Sequence, residues 1–295
     1  MKNYIQFRKQ RELGEILNDT FAFIREEWRT LFGLIFRLAG PALLLVVAAY
    51  VYYMQTTLGS IGGLGANPYM DSPEMFGMSL ILAVLVLIIA AVVYYSLLYG
   101  TVLSYIKSYI INKGNVDVQQ VKDQTRKDFW SLTGLNFLNG IIIVFGAILC
   151  FFPGIYLGIV LATSFSILMF ERKAPTDAIS ASFNLIKGEW WITFATLLVM
   201  GILYYLILII FQIPQYIYFF IQGLTMSQEI GSDPTQMFDW VYVALSSIGV
   251  IAQYLLQTFL VISTAFVYFN LNEKKNFTGT LEQIDSIGQR DETNV

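Results

Sequence analysis

Residues 75–106 read MFGMSLILAVLVLIIAAVVYYSLLYGTVLSYI, with no Asp, Glu, Lys or Arg. Roughly 20 apolar residues cross the hydrocarbon core of a bilayer, so this run is long enough to span one. A buried helix of a soluble domain would keep a polar outer face, and this stretch has none. Four further charge-free blocks repeat the pattern, at 38–70, 129–170, 190–228 and 240–272. Across all 295 residues, 56% are hydrophobic, 16% aromatic and only 13% charged, a balance too apolar for a water-soluble domain of this length. The fold class expected is all-α integral membrane.

Divided at their helix breakers, the blocks predict six transmembrane helices, at 33–54, 77–105, 133–152, 155–170, 191–213 and 240–268. Phe152-Pro153-Gly154 reads as a helix stop and tight turn, making the third and fourth spans a close hairpin. Pro214 ends or kinks the fifth span, and QYIYFFIQG (215–223) either continues it or lies in the interface. The expected organisation is one transmembrane domain over 1–272, followed by a short cytoplasmic tail, 273–295.

Lys and Arg set the orientation, because cytoplasmic loops retain positive charge. All 18 basic residues fall in 1–37, 107–127, 172–187 and 274–290, whereas loops 55–76 and 224–239 carry only Asp71, Glu74, Glu229, Asp233 and Asp239. Both termini are therefore expected in the cytoplasm, in a bacterial cytoplasmic (inner) membrane. Residues 1–30 contain no short apolar core ending in a small-residue cleavage site, so no removable signal peptide is expected.

Ahead of the first span, Leu13, Ile16, Leu17, Thr20, Phe21, Ile24 and Trp28 make an apolar stripe opposite Glu12, Glu15, Asp19 and Glu26. Such a helix lies along the cytoplasmic surface as an elbow. Shifted by 162 residues, the pattern returns as Ala178, Ile179, Ser182, Phe183, Ile186 and Trp190. Ser72-Pro73 and Asp233-Pro234 each place a cap and a proline before the next span. Between these copies, Asp117 and Gln120 suggest a capping box that starts a weaker stripe ending at Trp130. Arg25 with Trp28, Lys127 with Trp130, and Lys187 with Trp190 share one spacing. We read three units, about 11–106, 116–170 and 175–269, each a cytoplasmic amphipathic helix and a hairpin. Trp suits the lipid interface and a neighbouring cation suits anionic headgroups.

The absence of histidine removes the commonest general acid/base and imidazole ligands, and Cys150 is the single cysteine. No carboxylate falls within a predicted span, so no metal site or cofactor is expected. The glycine-rich GSIGGLG (59–65) reads as a flexible outward loop, not a phosphate-binding one. The basic segments alternate with acids and net charge is −3, so nucleic acid is not an expected partner. Intramembrane Asn136, Asn139, Thr163, Ser164, Ser166, Gln253, Gln257 and Thr258 suit interhelical bonding. Glu171 and Arg172 stand where the fourth span meets the cytoplasm.

The run Phe170-Glu171-Arg172-Lys173-Ala174, continued by Ala178-Ile179-Ser180-Ala181-Ser182-Phe183-Asn184-Leu185-Ile186-Lys187-Gly188-Glu189-Trp190, resembles the membrane domain found with bacterial glycerophosphoryl diester phosphodiesterases, shared with stand-alone multi-pass proteins. Its pattern is a glutamate ending a span, an Ala-x-x-x-Ser helix, then Lys-Gly and an aromatic, filled here by Glu171, Ala178, Ser182, Lys187, Gly188 and Trp190. The six-span layout covers most of the chain. The resemblance implies a membrane module. The catalytic barrel, typically about 250 residues, is not expected beside six spans.

The function expected is that of a non-enzymatic multi-pass module organising partner membrane proteins or lipid, through interfacial residues Arg25, Trp28, Lys127, Trp130, Glu171, Ser182, Lys187 and Trp190. A transporter or channel for a solute, using the polar residues of spans three, four and six, is the alternative. Repeat architecture favours it, but these copies run parallel and lack charged midplane segments.

Overall fold

The computed structural model describes residues 4–66, 73–225 and 239–279, with side chains from 58 to 66 and 73 to 76 excepted. The described residues contain helices and no strand. In chain order these are α1 (Leu13–Leu38), α2 (Gly40–Ala66), α3 (Pro73–Ile111), α4 (Val118–Leu149), α5 (Phe151–Leu161), α6 (Ser164–Glu171), α7 (Pro175–Ile186), α8 (Trp190–Thr225) and α9 (Trp240–Asn276). Among the described residues, five stretches are long and apolar enough to cross a membrane: Gly77–Ile111, Val118–Leu149, Phe151–Glu171, Trp190–Thr225 and Trp240–Asn276. A sixth exists if Leu13–Leu38 and Gly40–Thr57 count as one broken span.

Several boundaries differ from the sequence reading. The first span was expected from 33, yet α1 runs to Leu38 and α2 starts at Gly40. Pro41 explains the break, since it has no N–H to bond Arg37 and its ring crowds that carbonyl. The expected turn at 152–154 is instead at Cys150, whose φ of −170° and ψ of 150° are extended. Pro153 falls in the first turn of α5, where a missing N–H costs nothing, so it opens a helix and does not stop one. The second elbow is not separate: α4 runs unbroken through Trp130 into the span, because no proline or left-handed residue interrupts 118–149. The oxygen of Asp117 accepts from the amides of Gln119 and Gln120 as an N-cap. The Gln120 side chain closes no box, accepting instead from the Ser108 hydroxyl at 3.1 Å. The glycine-rich stretch 59–65 is helical backbone of α2, not a loop. Residues 215–223 continue α8, with Pro214 inside it. The expected caps Ser72 and Asp233-Pro234 lie outside the described residues, as does most of the tail.

The chain forms two compact units. The first comprises residues up to Leu38, Ser96–Ile202, and those from Thr258 onward. Its interior is built from the C-terminal ends of α3 and α9 together with α6, in which Ser164 to Met169 are all buried. The helices α4 and α5 fold back on each other. A Cβ on Gly154 would meet the Ala147 backbone at 2.9 Å, and Asn139 donates to Ser164 at 2.9 Å further along. The second unit, Ala39–Tyr95 with Leu203–Gln257, packs tyrosines between helices. The Tyr94 hydroxyl donates to the Tyr254 carbonyl at 2.9 Å, and Tyr204 to that of Gln253 at 3.2 Å. Gln215 donates to Tyr242 at 2.9 Å, and Tyr218 to the Asp239 carboxylate at 2.5 Å. Asp239 in turn accepts from the Tyr242 amide and starts α9.

Candidate functional site

The stripe on α1 is rotated from the one expected. Ile16, Thr20, Phe23, Glu27, Leu31 and Leu34 are buried, while Phe21 and Trp28 are 43% and 52% exposed. Glu27 is only 3% exposed and accepts from the Tyr105 hydroxyl at 2.7 Å. That tyrosine shares its level with Tyr109, Phe23 and Phe7, so the helix turns this side inward.

Phe7, in the segment before α1, is fully buried. It stacks on Phe266 at 4.4 Å and meets Phe23, Tyr109 and Phe269 at 5.2 to 6.0 Å. Arg11 follows it inward. Its guanidinium pairs with Asp19 at 2.8 Å, donates to the carbonyls of Gln6, Phe7 and Lys9, and lies 4.8 Å over the Phe266 ring. The Arg11 amide donates to Asn270 at 2.8 Å. These contacts seat residues 4–12 against α3 and α9.

Beside that seat is a half-open cleft of about 290 Å³, lined by Arg8, Lys107, Glu171, Tyr268, Asn272 and the apolar walls of Phe170, Phe269, Ile110 and Ile111. The Tyr268 hydroxyl donates to Glu171 at 3.0 Å and its ring stacks on Phe170 at 5.6 Å. The other carboxylate oxygen of Glu171 pairs with Lys173 at 2.7 Å. Lys107 donates to the Met169 carbonyl at 2.9 Å, closing the end of α6. Arg172, the left-handed C-cap of α6, reaches Gln124 at 2.9 Å.

Of the expected interfacial residues, only Glu171 enters this cleft. Arg25 and Lys127 are exposed, as is Trp130 at 78%. The cation over the Trp28 ring is Arg29, 5.4 Å away. Ser182 is fully buried and donates to the Ile179 carbonyl, and Ala178 one turn before it is buried too, so this pair packs α7. Lys187 is exposed while its carbonyl accepts from Lys275 at 2.8 Å. Lys275 also takes the Asn184 carbonyl, capping the end of α7, and Lys274 pairs with Glu189 at 3.0 Å. Gly188 has φ of +89°, a left-handed turn that only glycine adopts freely, and it reverses α7 into α8. Trp190 stacks on Phe194 at 5.3 Å. The cleft residues Arg8, Lys107 and Tyr268 were not singled out from the sequence. Lys107 and Tyr268 each fall within about a turn of the end of an apolar block, the one signal they carried; Arg8 carried none.

Among the described residues no three His, Cys, Asp or Glu side chains converge on a metal-sized site. Compared with known proteins, the chain matches no family model, no curated protein and no solved structure.

Proposed function

We propose that the chain is a non-enzymatic multi-pass module of the bacterial cytoplasmic membrane, with both termini in the cytoplasm and six spans in three hairpins. It acts through contacts with partner membrane proteins or lipid, which suits the membrane module that the resemblance to the phosphodiesterase-linked domain implies. The observation that carries this reading is where polar groups are engaged. In the apolar stretches, Asn139 bonds Ser164, Ser263 bonds Met200, and the tyrosines of the second unit bond helix carbonyls. Such bonds hold helices together. Converging charge is found instead at the edge that carries Arg8, Lys107 and Glu171.

A transporter is the second reading, and one observation favours it. The hydroxyls of Ser104, Thr163 and Thr258 and the oxygen of Asn139 are buried in the first unit without a hydrogen-bond partner. A solute path would use such groups. Two measurements on the full chain decide between the readings: recovery of bound membrane proteins from mild detergent, and solute flux in proteoliposomes. Replacing Thr163 and Thr258 with Val, and Asn139 with Leu, should leave partner recovery unchanged, whereas Glu171→Gln with Lys187→Gln should weaken it. Flux that is lost in the first set and kept in the second would overturn the proposal. Single cysteines at 65 and 232 should react with an impermeant thiol reagent on spheroplasts and one at 115 should not.

A further inference from the structure

We propose that the hairpin of α4 and α5 is re-entrant: it enters and leaves the membrane by the cytoplasmic face, and its apolar tip, Ile148 to Phe152, docks among the acyl chains of the cytoplasmic leaflet. The inference rests on the reading of the chain as a membrane module with cytoplasmic termini, and revises one part of it, the crossing of the middle hairpin. Parity is untouched, since a hairpin that returns to its own face leaves its two ends where a pair of full crossings would.

The returning arm, α5 with α6, is tied to charged groups at both ends. At one end Glu171 pairs with Lys173 at 2.7 Å, and Arg172 reaches Gln124, in the second turn of α4, at 2.9 Å. Toward the other end, Tyr156 stacks on Trp190 at 5.6 Å. Trp190 directly follows Glu189, which pairs with Lys274 at 3.0 Å, and Lys275 caps the end of α7 beside them. These charges belong in the polar layer, because ionised side chains in hydrocarbon are expensive. The stretch from Tyr156 to Glu171 extends roughly 22 Å at 1.5 Å per residue. With both of its ends near one polar layer, an arm of that length lies inclined along the membrane, not upright through it. Cys150 is roughly 9 Å beyond Tyr156 by the same rise, so the tip stops short of the far side of a core about 30 Å thick.

Unit composition agrees. The first unit holds all of α4 to α7, but only Ser96 onward of α3, α8 up to Ile202 and α9 from Thr258. Those are the parts of the three long helices next to Lys107, Glu189 and Lys274, the ends assigned to the cytoplasm. No residue of α4 or α5 belongs to the second unit, which holds the remaining lengths of the same helices. A hairpin that crossed the bilayer would run beside those lengths as well.

The tip itself is built for hydrocarbon. Ile148, Leu149, Phe151 and Phe152 are 72–82% exposed. Turns facing water draw on Asn, Asp and Ser as well as Gly and Pro, whereas 141–162 contains none of the first three and no charged residue. An exposed apolar patch marks a contact with membrane or protein, and the depth of this one makes the contact lipid. The backbone at the turn suits a medium without water. The Cys150 amide donates to the Gly146 carbonyl at 3.1 Å, the Cys150 carbonyl accepts from the Gly154 amide at 3.4 Å, and Pro153 has no N–H to satisfy. Since only the cytoplasmic leaflet makes room for it, the hairpin gives the module a hold on lipid packing in that leaflet.

The test starts from the wild-type chain, whose one cysteine is Cys150. A nitroxide is attached there in detergent, the protein is returned to phospholipid vesicles, and its collisions are measured with oxygen, which concentrates in hydrocarbon, and with a nickel chelate, which stays in water. Collisions with oxygen should exceed those with the chelate severalfold. Chelate collisions in excess would put the turn in water, and low collisions with both would bury it against protein; either result overturns the proposal. The face is read in a Cys150→Ser chain carrying Tyr156→Cys and Trp190→Cys, in which a short bismaleimide should link the two cysteines within one molecule, identified by mass spectrometry of the digest. No link in a protein that inserts and purifies as the wild type does would also overturn it, and the nitroxide measurement stands if that variant fails to fold. A failure at Cys150 with position 115 still shielded from outside sinks this inference alone, whereas labelling at 115 from outside sinks the orientation beneath it.

Discussion

Two glycines four residues apart in α5 should respond to the same substitution with opposite sign. A Cβ on Gly154 would stand 2.9 Å from Ala147 Cα, and 3.0 Å from its Cβ and its nitrogen. All three belong to the backbone or its first side-chain atom, so nothing flexible can yield and α4 must move. Forcing a methyl into packed structure costs roughly 1–3 kcal/mol, and rigid backbone on the receiving side favours the upper half. Alanine returns about 0.5–1 kcal/mol through its higher helix propensity, leaving a net loss near 1–2 kcal/mol. At Gly158 nothing lies within 4 Å, so only the propensity gain operates. With about 2–4 °C per kcal/mol for larger chains, Gly154→Ala should lower the midpoint by about 2–8 °C, and Gly158→Ala should raise it by about 1–4 °C. Thermal unfolding followed by tryptophan fluorescence, in one detergent at one protein concentration, measures both. Equal shifts of the same sign would refute the close α4–α5 approach. Gly146→Ala is a graded third point, because its nearest neighbour, Leu157 Cδ1 at 2.5 Å, is the movable end of a side chain.

Arg11→Ala should destabilise by about 3–5 kcal/mol, as removing one partner of a buried charge pair does, while Asp19→Asn, whose side chain is 29% exposed, should cost less; midpoints of the two variants in the same assay check the order. Ile186→Asp should lower abundance sharply, since Ile186 is 1% exposed and an unpaired carboxylate there has no partner. Phe183→Asp should be milder, because Phe183 is 37% exposed, and equal tolerance in membrane fractions would mean α7 does not pack as described. Burial alone would raise the Asp239 carboxyl, but hydrogen bonds from the Tyr218 hydroxyl and the amides of Tyr242 and Val241 outweigh it and hold the group below its usual 3.8. A depressed carboxylate stabilises the fold above its ordinary value, and that contribution is lost as pH falls below 3.8. Midpoints of the wild type and Asp239→Asn should therefore differ near neutrality and converge in acid; a constant difference would count against the capping role.

Charge-free blocks made the long helices legible, because length and hydropathy are properties of the chain itself. The misplaced breaks have a common cause. Pro153 was expected as a stop and Pro41 inside the first span, yet both occupy first turns, where the ring begins a helix and the break falls just before it. The unbroken α4 was missed because a composition change at Trp130 looks like a boundary, whereas the backbone responds only to steric and hydrogen-bonding constraints. On α1, Phe21 and Phe23 both suit a stripe. Phe7, more than a turn outside the helix, is one of the residues against which the inward side packs, and no periodicity within α1 could reveal it. The cleft was legible in one member, Glu171. Arg8, Lys107 and Tyr268 come from segments far apart in sequence, and only packing brings them together.

Phe7 stacks on Phe266 and the Arg11 amide bonds Asn270, a separation of 259 residues in the latter case. At roughly 5–20 residues per second, a ribosome needs about 13–50 s to make the chain between those partners. Throughout that interval the aromatic ring and the guanidinium that later become buried have no seat, and must wait in water or on the membrane surface while the helices between them are threaded into the bilayer. The earliest residues described are thus among the last to be secured. A ribosome stalled before α9 leaves a protein whose spans can be inserted but whose leading segment has nothing to close on, a state that quality-control proteases could tell apart from the finished molecule by that exposed segment.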